Sequence, residues 1–73
     1  MMTKEKIKAL LDAGLPGAVV DVRGDDGQHF EADVTWAGFN GLSMVRQHQA
    51  VYAALGDKMG REIHALALKT RAG

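Results

Sequence analysis

The sequence predicts a small α+β domain of order α-β-β-α-β, with a three-stranded mixed sheet and both helices on one of its faces. Three observations lead there. Two stretches repeat apolar residues at helical spacing behind a capping residue, two runs alternate apolar and polar on either side of a Gly-Asp turn, and a last apolar run follows the second helix. The two alternating runs form an antiparallel hairpin. A strand, crossover helix and strand is right-handed and returns the last strand parallel to the second, so the sheet is mixed.

Thr3 caps the first helix, Glu5 lies in its first turn, and Ile7, Leu10 and Leu11 recur at helical spacing, while Lys4, Lys6, Lys8 and Asp12 mostly face water. Gly14 and Pro16 end it. Spacing at i, i+2 spreads the three lysines around the helix, which makes them a solvated surface. Residues 18–23 form the first strand, with Ala18, Val20 and Val22 inward and Asp21 and Arg23 outward. Gly24-Asp25-Asp26-Gly27 turns the chain, and the two aspartates there read as solvated turn formers instead of a catalytic pair. Residues 29–36 form the second strand, Phe30, Ala32, Val34 and Trp36 lying opposite His29, Glu31, Asp33 and Thr35.

Gly38-Phe39-Asn40-Gly41 matches the GxxG pattern with which KH domains clamp a nucleic-acid backbone, although neither middle residue is cationic. A turn anchored by Phe39 is the simpler reading. Ser43 caps the second helix, in which Val45, His48, Val51, Tyr52 and Leu55 form the predicted buried stripe and Arg46, Gln47, Gln49 and Ala50 lie off it. His48 is therefore expected to be partly buried and hydrogen-bonded nearby. Gly56 is the C-cap, and residues 57–62 make a short connection with a helical turn.

The last strand is predicted to run through residues 60–70, apolar on both faces except at His64, which suits a strand covered on both sides. Parity sets Ile63, Ala65 and Ala67 against His64, Leu66 and Leu68, which makes His64 a packed histidine ahead of a ligand. Parallel strands begin at the same end of a sheet, so His29 and His64 share one edge of the molecule, on different faces, and only a flexible turn at Gln28 and His29 lets the rings converge.

At 73 residues the chain is read as a single domain, residues 1–73, in which most apolar residues are used for the core and a large internal active site is excluded. The absence of cysteine removes disulfides, thiolate nucleophiles and self-contained zinc-thiolate sites. No apolar run is long enough to span a bilayer and the lysine-rich start lacks a signal-peptide core, so a cytoplasmic protein without membrane attachment is expected. Net charge is zero, but residues 1–35 carry four basic and seven acidic side chains and residues 36–73 five basic and two acidic. The excess of three charges in each half makes a dipole if the halves lie apart, and is small beside the basic stripe of a nucleic-acid binder.

At Phe39-Asn40-Gly41-Leu42-Ser43, at Gln47-His48-Gln49-Ala50-Val51-Tyr52-Ala53-Ala54-Leu55 and at Ile63-His64-Ala65-Leu66-Ala67-Leu68-Lys69-Thr70, the sequence resembles the BolA family. Asp26-Gly27-Gln28-His29-Phe30 resembles the hairpin turn of members with a histidine there instead of a cysteine. The resemblance covers nearly the whole chain and implies a fold similar to a class II KH domain. It also implies a non-enzymatic adaptor that pairs with a monothiol glutaredoxin and shares a [2Fe-2S] cluster with it and glutathione, for iron-sulfur trafficking or iron sensing. His64 takes the place of the family's last-strand ligand and His29 that of the hairpin-turn ligand; alone, the chain is expected to carry no cofactor and to be a monomer or weak homodimer. His64, held by its strand beside Leu66 and Leu68, is expected to be in place before iron arrives, whereas His29 is expected to move.

Two histidines cannot hold a [2Fe-2S] cluster, which takes four ligands, so a partner must supply the thiolates. Imidazole in place of thiolate removes negative charge from the cluster, raises its potential and makes ligation sensitive to protonation. The alternative implied by the resemblance is a KH-like DNA-binding transcriptional regulator, with Gly38, Asn40, Gly41, Arg46 and Lys69 as candidate contacts. Where the family often has Arg-His-Arg, this chain has Gln47-His48-Gln49, which removes two cations from that surface.

Overall fold

The computed structural model describes residues 1–73. The elements are α1 (Lys4–Gly14), β1 (Val19–Arg23), β2 (His29–Thr35), α2 (Met44–Leu55) and β3 (Ala65–Arg71), with short 3-10 turns at Ala37–Phe39 and Gly56–Lys58. Strand order is β1-β2-β3, β1 antiparallel and β2 parallel to its neighbour, as the connection rule requires. Thr3 accepts from the Lys6 amide and Ser43 from the Arg46 amide, so both predicted caps form.

The pleat sorts the side chains. Val20, Val34 and Thr70 lie in one row across the sheet, Val22, Ala32 and Leu68 in the next, and Phe30 beside Leu66 in the third. These rows face the helices, where Ile7 and Leu11 of α1 and Val51 and Leu55 of α2 are buried, and Phe39 is wholly enclosed between the elements. The opposite face carries Arg23, Glu31, Asp33, Lys69 and Arg71 and no helix covers it. There Arg23 pairs with Asp21 and reaches Asp33 at 3.1 Å, and Arg71 comes to 3.9 Å from Asp33. Since β3 lies against β2, the acidic first half and the basic second half do not lie apart in space, which was the condition for a dipole.

Three details depart from the sequence reading. First, the buried face of α2 is rotated: Val45 is 66% exposed and Tyr52 38%, whereas Gln47, off the predicted stripe, is half-buried. The Thr70 hydroxyl donates to Gln47 Oε1 at 2.7 Å and the Gln47 amide donates to the Leu42 carbonyl at 3.0 Å, so a polar side chain is satisfied inside. His48 is half-buried as expected, but its Nε2 is enclosed without a hydrogen-bond partner. Second, the last strand starts at Ala65, not within residues 60–64, and it is an edge strand with Ala65, Ala67 and Lys69 exposed. Third, Trp36 lies just past β2, half-buried, its Nε1 donating to the Pro16 carbonyl at 2.7 Å and its ring edge-on to Phe39 at 5.3 Å.

Candidate functional site

The register of the parallel pair builds the site. His29 opens β2 and is paired with Ala65, which opens β3, and the Ala65 amide donates to the Gln28 carbonyl at 3.1 Å. His64 immediately precedes that bond, so both histidines stand at one end of the sheet and both are exposed. This is the shared edge inferred from sequence.

His64 is not a packed strand residue. The amides of Arg61, Glu62 and Ile63 all converge on the Lys58 carbonyl, and Gly60 donates back to Ile63 at 3.0 Å, making a tight turn instead of extended chain. Ile63 is 0% exposed, so the turn buries it, and strand parity fails across residues 63–65. His64 is left outside, between a buried anchor and the first rung of the β2–β3 ladder.

His29 is held differently. Asp26 Oδ1 accepts from the amides of Gln28 and His29 at 2.9 and 2.8 Å, an Asx turn, and its other oxygen, Oδ2, lies 2.8 Å from His29 Nδ1. The His29 backbone bond comes first, then the ring contact and the Gln28 amide, in holding the Asp26 carboxyl far below the usual carboxylate range. At the neck of this hairpin Gly24 has φ +149°, and a Cβ there would sit 2.6 Å from the His29 carbonyl, so a side chain would force the turn open. A shallow depression of about 410 Å³ beside the ring is bounded by Arg23, Gly24, His29, Glu31, Ala65 and Ala67. The role of Asp26 was missed from sequence, although the Asp-x-x-His spacing across a glycine was its signal.

The histidine pair meets one part of the requirement for a [2Fe-2S] cluster. With its Nδ1 facing a carboxylate, His29 has the outer-shell support usual for ligating histidines. No three or more His, Asp or Glu side chains are gathered where they could hold a metal together, and the chain has no cysteine. The donor set is half a site, which fits a cluster completed by another molecule's thiolates.

The nucleic-acid candidates are distributed otherwise. Asn40 and Gly41 precede the exposed start of α2, where Arg46 lies. Thr70 faces α2, so the adjacent Lys69 points to the uncovered side of the sheet, away from Arg46. A Cβ on Gly38 would sit 2.6 Å from the Trp36 ring, so that glycine is required by packing. No helix is long and apolar enough to cross a membrane.

Known proteins were compared with this arrangement. The family model of BolA-like protein matches residues 3–73. The Arabidopsis thaliana protein BOLA2 is 39% identical over 72 residues, covering 94% of this chain and 76% of that protein. Among solved structures, a bolA protein homologue from Coxiella burnetii superposes with a TM-score of 0.85 at 43% identity, covering 97% of this chain and 91% of the other. The BolA domain of SufE1 from Arabidopsis thaliana gives a TM-score of 0.81 at 27% identity, covering 93% and 88% of the two chains. Sequence, topology and these likenesses agree, and the chain belongs to the BolA-like family.

Proposed function

We propose that the chain is a non-enzymatic cytoplasmic adaptor that binds a monothiol glutaredoxin and shares a [2Fe-2S] cluster with it for iron-sulfur trafficking or iron sensing. The observation that carries this reading is the β2–β3 register, which brings two exposed histidines to one end of a chain that has no thiolate of its own. The cluster supplies electron and cluster transfer when bound. The chain supplies two neutral imidazoles, His64 and His29, and the partner with glutathione supplies the thiolates. Asp26 orients His29, and Ile63 with the Ala65–Gln28 hydrogen bond sets the path of the backbone at His64.

The test mixes the chain with a monothiol glutaredoxin, glutathione, iron and sulfide and records the visible spectrum. A spectrum distinct from that of the glutaredoxin homodimer is expected. His64→Ala and His29→Ala, both on exposed residues, are each expected to fold normally and to make the distinct cluster labile or abolish it. A wild-type mixture indistinguishable from the glutaredoxin homodimer would reject the reading, and affinity for DNA that falls steeply with salt would favour the KH-like regulator instead.

A further inference from the structure

We infer that Asp26 is a positioning residue for the histidine site: it holds the His29 imidazole in the tautomer protonated at Nδ1, leaving Nε2 as the ligating atom. The inference rests on the reading of His29 as a ligand. Its geometry stands apart from the needs of the turn. Oδ1 alone accepts both turn amides, from Gln28 and His29, so the hairpin is satisfied without the second oxygen. That second oxygen, Oδ2, is 2.8 Å from Nδ1.

An ionised carboxylate can only accept, so the proton of a neutral ring must sit on Nδ1 and the lone pair on Nε2. Asp26 already acts as an acceptor in this turn, since its Oδ1 takes the amides of Gln28 and His29. The ring stays 68% exposed, which leaves Nε2 open to a partner. A histidine in water is mostly protonated at Nε2, the form that blocks this nitrogen as a ligand. The Asp26 contact therefore selects the tautomer and limits the ring's rotation before any metal arrives, and both effects reduce what ligation must reorganise.

Asp26→Asn separates the two jobs of the side chain. Its amide oxygen keeps the turn, while the amide nitrogen replaces the acceptor opposite Nδ1. Long-range proton–nitrogen correlation spectra of the metal-free protein, with the imidazoles neutral, read the tautomer directly, and His29→Ala assigns the signal. Wild type is expected to show an unprotonated Nε2 at His29, and Asp26→Asn a switch toward protonated Nε2 with the Gln28 and His29 amide shifts kept. In the mixture with glutaredoxin, glutathione, iron and sulfide, Asp26→Asn is expected to lose cluster on the order of 10–100-fold more readily, the usual effect of removing a ligand's outer-shell partner.

A protonated Nε2 in wild type, or a tautomer unchanged in Asp26→Asn, would overturn the inference. So would a parental cluster in Asp26→Asn when His29→Ala is labile, which removes Asp26 alone from the site. A parental cluster in His29→Ala would instead remove His29 as a ligand, and Asp26 with it, whatever the tautomer.

Discussion

His29 and His64 stand at the same end of one parallel strand pair, yet the chain holds them by opposite means. At His29 the ring itself has a partner: Asp26 grips the side chain and two backbone amides together. At His64 it is the backbone that is held, by the buried Ile63 on one side and the Ala65–Gln28 hydrogen bond on the other. This reverses the expectation that the last strand would fix His64 while His29 shifted on a flexible turn. Strand membership belongs to His29, and His64 lies on a turn. A glycine-containing turn is not loose when an aspartate inside it satisfies its amides, and an apolar run is not a strand when its first residues close on a single carbonyl.

The largest test of this contrast is Ile63→Ala. Removing a fully buried side chain from so small a core is expected to cost about 2–5 kcal/mol, read as a lower urea midpoint. A midpoint equal to wild type would show that His64 is not anchored from beneath.

Leu66→Ala gives a smaller expected effect and separates the turn from the strand. Leu66 pairs with Phe30 one step beyond the His29–Ala65 rung, but it is only half-buried on an edge strand. Its loss is expected to cost about 1–2 kcal/mol, less than the about 2–4 kcal/mol expected for Val51→Ala at a fully buried site. Equal losses at Leu66 and Val51 would mean that β3 is covered more deeply than its exposure indicates.

The smallest expected effect is that of Glu62→Gln. Lys58 and Glu62 are 2.8 Å apart across the turn before His64, with side chains 44% and 45% exposed, so the pair is screened. Its hydrogen bond to Lys58, followed by the charge of Lys58, lowers the Glu62 pKa. A carboxyl depressed in the folded state adds stability above its unfolded value, ~4.3, and loses it as pH falls through the lower folded value. Urea midpoints of wild type and Glu62→Gln are therefore expected to be nearly equal at pH 7, with any small wild-type advantage shrinking as pH falls below ~4.3 and through the lower folded value. A large difference at neutral pH would mean that the ion pair, in addition to Ile63, holds this turn.

The element order, both helix caps, the hairpin and the shared edge of the two histidines were legible in the sequence, because each depends on neighbours within a few residues or on connection handedness. Thr3 and Ser43 precede helical spacing, Gly24-Asp25-Asp26-Gly27 separates two alternating runs, and a helix between two strands makes them parallel. From that alone His29 and His64 come to the same end.

Tertiary structure decided which face of α2 is buried, because its apolar side chains permit more than one orientation. Thr70 on β3 and the Leu42 carbonyl draw Gln47 inward and leave Val45 and Tyr52 in water. It also decided how each histidine is presented. Parity holds only where the chain is extended, and the Lys58-centred turn breaks it just before β3, burying Ile63 and exposing His64. At His29 the deciding fact is the direction of one carboxylate oxygen, which depends on the closed geometry of the hairpin as well as on the Asp-x-x-His spacing within it.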